Sequence, residues 1–403
     1  MKIVKIELFP VTLGPRPGQN AKLRNNSVVI KITTDSGHVG IGDTGNTSSW
    51  YNGETQGSII AVIEEVIAPL VLLGSDPFDI ERIVDKMDHL VRNNGQAKML
   101  VDFALHDLKG KVLDVPAYQL LGGRTVEKIR LGYVSAERDP DILGEWAADA
   151  VYSGFALIKI KIGLTGNSMA DECKRLAAVR KAIEDKIPMD LDANGALNFK
   201  QALAGVKAFA EFRPGLIEQP LPSWDLDGMA RLRETCTFPV YADEAAQTPT
   251  DIMEIHRKGA ADGLLLKPVK AGGFVKSLRW IATAQACGYP VVIGSMAGSG
   301  LETIAHLHLA TANAWTSTMI HEIVGPLRRR GESLEDMATA YEDIVHGGPV
   351  YKDGCALPPE GPGFGLELNE EVIARRITPG RSVVTVTADN ADAKHDGYRA
   401  VAK

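Results

Sequence analysis

The sequence predicts an α/β protein, an α+β segment followed by a closed barrel of alternating strands and helices. Three observations predict it. Eight short apolar strands recur after about residue 130, each with a helix-like stretch behind it. A polar residue ends strand after strand at nearly constant spacing. The chain before residue 125 has another texture, sheet and then long helical patterns.

The elements follow in order. "KIVKIELFPVTL" alternates as a strand does and leads to "SVVIKITTDSGHVGIGD", with a turn at Asp35-Ser36-Gly37. Residues 56–92 carry apolar positions three and four apart, and "KMLVDFALHDLKGKVL" (98–113) does the same before stopping near Pro116. The repeated strands read "IRLGYV" (129–134), "ALIKIKI" (156–162), "IPMDLDA" (187–193), "GLIEQP" (215–220), "PVYADE" (239–244), "GLLLKP" (263–268), "YPVVIGS" (289–295) and "TMIHEI" (318–323). Strand–helix alternation implies parallel strands joined by crossover helices, and eight such units suggest a (β/α)8-type barrel. An open doubly wound sheet is the alternative. It calls for a dinucleotide or phosphate fingerprint, and "GSMAGSG" (294–300) has neither spacing. Residues 356–370 are rich in proline and glycine, and the polar stretch 380–403 is expected to form a loose tail.

Composition narrows the function. The 403 residues are 45% hydrophobic and 24% charged, with a formal net charge of -7. The one basic block is "LRRR" (327–330), so neither nucleic acid nor an anionic membrane is an expected partner. No run approaches the ~20 apolar residues of a membrane helix, and "MKIVKIELFP" lacks a signal peptide's apolar core. The cysteines Cys173, Cys236, Cys287 and Cys355 are far apart and without zinc spacing. A cytoplasmic location, with thiols as small core residues, is expected.

The chemistry lies at the strand ends, where barrels build active sites. Lys159 and Lys161, Asp192, Glu218, Asp243 and Lys267 arrive one strand at a time, at intervals of 31, 26, 25 and 24 residues from Lys161 on. Lys159 and Lys161 share one face of their strand. Three carboxylates on adjacent strands converge, and all-oxygen ligation suits Mg²⁺ rather than zinc. The second and sixth strands face each other across a ring of eight, which puts Lys161 and Lys267 on opposite sides. Lysine beside lysine lowers the pKa of one, making Lys159 the permanent cation and Lys161 the base. A cation that stabilises an enediolate lets a lysine remove the proton α to a carboxylate. Lys267 either returns the proton on the other face or serves only as a cation. Taken alone, each motif has a plainer explanation: Lys-x-Lys is usually an exposed strand face, and acids end strands everywhere. "DLDANG" (190–195) opens like a calcium loop, but its twelfth position is Gln201 and Pro188 precedes it in a strand pattern. His306 and His308, two apart in a helical pattern, read as packed or solvent-facing rather than as ligands. The equal spacing makes the set specific.

That set resembles the enolase superfamily, in its mandelate racemase/muconate-lactonizing family and the muconate cycloisomerase-like subgroup, from residue 1 to about 376. "DFALHDLKGKVLDVPAYQLLGG", "IKIKIG", "LDAN", "IEQPL", "YADEA", "LLLKPVKAGG", "HEIVGPL" and "PGFGLELN" carry the resemblance. It implies a modified TIM barrel, (β/α)7β (residues 125–345), an α+β capping domain (1–124), and a C-terminal return to the cap with a polar tail (346–403). It implies Mg²⁺, one per subunit and replaceable by Mn²⁺, on Asp192, Glu218 and Asp243. Lys159, Lys161 and Lys267 are the implied catalytic residues, with Asn194 and Glu244 behind the metal ligands. Cap loops near Leu13–Asn26 and Asn46–Gly53 would close over the substrate, and Trp50, Tyr51, Ser295, Met296, Gly298 and Glu322 are candidate substrate contacts. The family often carries a glutamate after Met-Leu at the end of strand seven. Gly298 stands there here, which predicts room for a bulkier or anionic substrate group, while Glu302 starts the next helix. Dipeptide epimerases show two aspartates at strand eight, where this chain has Glu322 and Val324. The resemblance implies an isomerase (racemase, epimerase or cycloisomerase) of a small carboxylate or amino-acid derivative, in a homo-oligomer of two to eight subunits. The alternatives are a dehydratase of a hydroxy acid or hydroxyproline-like substrate on the same site, and a barrel that only binds.

Overall fold

The computed structural model describes residues 1–13, 25–323, 325 and 342–391. The N-terminal alternation becomes an antiparallel sheet of β1 (Ile3–Leu13), β2 (Asn25–Thr34) and β3 (Val39–Asp43), and Gly37 supplies the left-handed turn at φ +82°. Helices Gln56–Val62, Ile80–Leu90 and Gly95–Leu113 pack on it. Between the first two, Ile63–Leu72 widens into a π-helix around Pro69, a residue with no N–H for the α-helical ladder.

After β4 (Ile129–Arg130) come β5 (Gly132–Ser135), β6 (Leu157–Lys161), β7 (Met189–Asp192), β8 (Ile217–Glu218), β9 (Val240–Ala242), β10 (Gly263–Leu266) and β11 (Val291–Ile293). β5 to β11 lie side by side in sequence order, all parallel. The expected eighth strand shrinks to two residues. His321 bridges Leu131 at one edge and Glu322 bridges Gly294 at the other, so the ring closes. Each of β5 to β11 is followed by a helix, which makes the barrel (β/α)7β with an α+β cap. The helices start cleanly because their entry residues cap them. Ser168 with Asp171, Asn198 with Gln201 and Thr248 with Asp251 form reciprocal capping boxes. Inside the ring, Leu216, Tyr241, Leu265 and Val292 pack as an apolar plug with Met319 beneath the charged mouth.

The chain then returns through short strands, β12 (Val345–His346), β13 (Tyr351–Lys352), β14 (Cys355–Ala356) and β15 (Glu367–Leu368). β14 pairs with β4. Residues 380–391 are not the loose tail the sequence suggested. β16 (Val384–Thr387) adds a fourth strand to the cap sheet beside β1, and Ala388–Ala391 turns as a helix. Val-Thr-Val-Thr has β-branched side chains at period two and buries Val386, a signal hidden by the polar residues around it. Residues 392–403 lie outside the described set. Among the described residues no helix is long and apolar enough to cross a membrane.

Candidate active site at the barrel mouth

Strand register builds the site. Lys161 stands level with Asp192, and Asp192 with Glu218. Asp243 and Lys267 follow directly on β9 and β10. The structure thus brings together all six residues expected at the strand ends. Lys161 and Lys267 rise from strands four places apart in the ring. Gly294 makes room for Lys267, since a Cβ there would lie 3.2 Å from its Cε.

Each carboxylate meets an ammonium group. Lys161 pairs with Asp192, and Lys159 with both Glu218 and Glu322. Asp243 is held by three donors. Lys267 reaches Oδ2 at 2.5 Å, while Lys270 and the Tyr51 hydroxyl both reach Oδ1 at 2.7 Å. Tyr51 therefore enters the site from the cap, its ring 4.6 Å below the Lys267 ammonium. Trp50, its neighbour, is 66% exposed at the rim of a cleft of about 1190 Å³ between cap and barrel. Asn194 bonds to Asp192 through its N–H at 2.8 Å and to Glu244 through Nδ2 at 2.9 Å.

Burial opposes the charge on Lys159, but Glu218 and Glu322 outweigh it and hold the ammonium above the ordinary lysine range. Lys267 is likewise held high, because Asp243, Glu218 and Glu244 overcome its burial. Burial would raise Asp243, yet Lys267 and Lys270 keep it well below the usual carboxylate range. Glu218 is pushed up by burial and by Asp192. Burial and Asp243 push Glu244 up to about 7.

A divalent cation fits this donor set. Asp192, Glu218 and Asp243 are buried at the ends of neighbouring strands and offer oxygen donors alone. Glu218 Oε1 is buried without a hydrogen-bond partner among the described residues. No three ligands stand ready-made for a metal among the described residues, because lysine tips occupy the space between the carboxylates. Asp192, Glu218 and Asp243 would hold the ion once those tips turn aside.

The loop after β11 corrects one expectation. The space beside Gly298 is full. A Cβ there would lie 2.4 Å from the Cα of Gly45 in the cap, and the Glu302 side chain packs behind it. Glu302 does sit in the first turn of helix Gly300–Ala312. Its carboxylate accepts the N–H groups of Met296 and Gly298. Ser295 donates to the Glu322 carbonyl at 3.2 Å. His306 and His308 are buried and packed. Val324 and most of the first cap loop (14–24) fall outside the described residues. Sequence reasoning missed Lys270 and Gln219. Lys270 lies three residues past Lys267, a helical spacing that could have exposed it. Gln219 accepts the N–H groups of Asp243 and Ala245, fixing the end of β9, and nothing in "IEQPL" announces that.

A barrel whose strand ends carry paired lysines and carboxylates under an α+β cap sets acid–base groups at the face where barrel enzymes build their active sites. The chain belongs to the mandelate racemase/muconate lactonizing enzyme family, matching its N-terminal domain over residues 10–122 and the enolase C-terminal domain-like family over residues 143–372. Muconate cycloisomerase 1 of Rhodococcus opacus is 32% identical over 349 residues, covering 86% of this chain and 89% of the relative. The N-succinyl-L-Arg/Lys racemase of Bacillus cereus is 29% identical over 378 residues, 93% and 97% of the two chains. The crystal structure of a mandelate racemase/muconate lactonizing family protein from Azoarcus sp. EbN1 superposes with a TM-score of 0.89 at 44% identity, covering 96% of this chain and all of that one. These relatives' names place the chain among the racemases, epimerases and cycloisomerases, the isomerases of the enolase superfamily.

Proposed function

We propose that this isomerase removes the proton α to a carboxylate of a small acid or amino-acid derivative, with Mg²⁺ on Asp192, Glu218 and Asp243. One observation carries the reading. Lys161 and Lys267 rise from opposite sides of the ring with the carboxylates between them. When bound, the ion would stabilise the negative charge that develops on the substrate carboxylate.

The chain's own residues supply the rest. Lys159, buried between Glu218 and Glu322, stays cationic and faces developing negative charge without exchanging its proton. Lys161 takes the proton on one face, and Lys267 delivers one on the other. Replacement on the opposite face inverts the centre, and replacement on the same face gives exchange alone. Tyr51, Lys270 and Gln219 fix Asp243 from three directions.

Glu322 is already engaged by Lys159, so among the described residues at strand eight no free pair of acids is set out for an α-ammonium group. This supports an N-acylated amino acid or a plain carboxylate over a dipeptide. A cytoplasmic location and a homo-oligomer belong to the same proposal. Four free cysteines support the first, and light scattering tests the second.

The decisive experiment is α-proton exchange in deuterated water. Mg²⁺-loaded protein is incubated with N-succinyl and other N-acyl amino acids, N-methyl amino acids, hydroxyprolines, diacids and muconate. Mass spectrometry reads deuterium, and a chiral column reads configuration. Deuterium with inversion is expected. Deuterium with loss of water would replace isomerisation by dehydration. Failure of every substrate to exchange or lactonize, with Mg²⁺ bound, would overturn the reading.

A further inference from the structure

Glu302 is a buried carboxylate that the reaction does not use. A glutamate in a helix's first turn usually reaches back to the N-cap N–H. Glu302 reaches further. Oε1 accepts the Met296 N–H at 2.8 Å, and Oε2 accepts the Gly298 N–H at 3.0 Å. Those two amides flank Ala297, which sits at φ +56°. An alanine in the left-handed region is strained and persists only where its surroundings hold it.

The clamp is enclosed. A Cβ on Gly45 would meet the Glu302 carboxyl at 3.0 Å, so the cap lies against it. Beneath, His306 donates from Nδ1 to the Glu302 carbonyl at 2.7 Å. Only a group with two acceptors and no donor satisfies both amides here. The clamped loop leaves β11 through Gly294, the residue against which Lys267 lies.

We propose that Glu302 is a positioning residue for the loop Ser295–Gly298 and, through it, for the Lys267 side of the reaction. The inference rests on the two-lysine reading above. Lys161 rises from β6, four strands from β10 around the ring, and its ammonium pairs with Asp192 rather than with a group of this loop's neighbour Lys267. The clamp therefore acts on one face of the substrate only. A residue that merely supported the fold would affect both faces alike.

The test is Glu302→Gln, whose amide turns a donor toward one of the two backbone N–H groups. Deuterium exchange is measured separately on the two enantiomers of a panel substrate. Lys161→Ala and Lys267→Ala identify which enantiomer belongs to which face. Exchange on the Lys267 face should fall at least ten-fold, while the Lys161 face should stay within about two-fold. Adding Ala297→Gly, which removes the left-handed strain, should recover most of the loss. Equal loss on both faces, or none, overturns the proposal.

Two measurements keep it falsifiable. If Glu302→Gln does not fold, Ala297→Val keeps the carboxylate but penalises the turn, and must show the same one-sided loss. Backbone hydrogen exchange of the 295–299 segment needs no substrate. It must quicken in Glu302→Gln, and an unchanged rate sinks the clamp even if the wild type turns over. A clamp that loosens while the wild type exchanges no substrate faults the two-lysine reading instead, and with it the clamp's role on the Lys267 face.

Discussion

The charged belt at the barrel mouth and the polar seam between cap and barrel are both buried, and they satisfy their charges differently. In the belt, Asp192, Glu218 and Asp243 are met by ammonium groups on long flexible stems. In the seam, acids are met by short neutral donors. Asp43 accepts from Ser27, from Ser299 at 2.5 Å and from the Gly45 N–H at 3.2 Å. Asp343 accepts from the Gly300 and Ile344 N–H groups at 2.6 and 2.7 Å. Without compensating charge, burial pushes Asp43 up to about 6 and Asp343 up to about 7. Lysine tips can move aside for a substrate or a cation, whereas a backbone amide cannot. The belt is built to be rearranged, and the seam to stay shut.

The largest expected effect tests the belt. Lys161→Ala and Lys267→Ala should each lower turnover roughly a thousand-fold, the middle of the range for a lost acid–base group. Mg²⁺ affinity by calorimetry and the unfolding midpoint should change little, because the three carboxylates and the apolar plug remain. Normal turnover in either variant would remove that lysine from the mechanism. A large loss of stability would show that the belt also holds the barrel together.

The seam should respond in the opposite sense. Ser299→Ala removes a partner of Asp43 and the cap of helix Gly300–Ala312 at once. A loss of about 2 kcal/mol in denaturant unfolding is expected, with turnover per folded molecule close to normal. Unaltered stability would mean that the cap is held elsewhere.

The same contrast explains what the sequence could reveal. The belt was legible because a parallel barrel delivers one strand end about every 25 residues, so convergence in space leaves a period in the chain. The seam has no period. Ser27, Asp43, Asp343 and the pair Ser299 and Glu302 come from four separate places, and each reads alone as an ordinary polar residue. Gly298 shows the consequence. Its missing side chain suggested open space, because nothing near it in sequence announces that Gly45 fills the volume. The shortened eighth strand was visible as "TMIHEI", but its reduction to two bridges depends on the barrel's curvature.

The third prediction concerns pH at the far end of the seam. His308 is fully buried, accepts the Tyr118 N–H at 3.1 Å and stacks on Phe364. Burial pushes its pKa down to about 3. A folded pKa below the unfolded value of about 6.5 means that protons bind the unfolded chain first. The stability linked to this residue is whole above pH 6.5 and is lost as pH falls toward 3. The limiting slope is about 1.4 kcal/mol per pH unit. His308→Gln keeps an acceptor for Tyr118 without the titrating ring. It should flatten the acid limb of a stability-against-pH curve measured by denaturant unfolding, and an unchanged limb would assign that limb to other groups.

The smallest effect is expected where two neighbours divide between exposure and burial. Tyr51 comes from the cap yet belongs to the belt, with its hydroxyl on Asp243 and its ring under Lys267. Trp50 is two-thirds exposed and tilted 44° to that ring at 6.2 Å. An exposed side chain without a buried partner contributes within about 0.5 kcal/mol to stability. Trp50→Ala should therefore leave the unfolding midpoint unchanged and shift KM only a few-fold across the acyl substrates, with kcat untouched. A fall in kcat would mean that Trp50 closes onto the substrate during turnover. The boundary of the belt would then lie one residue further into the cap than the contacts of Tyr51 place it.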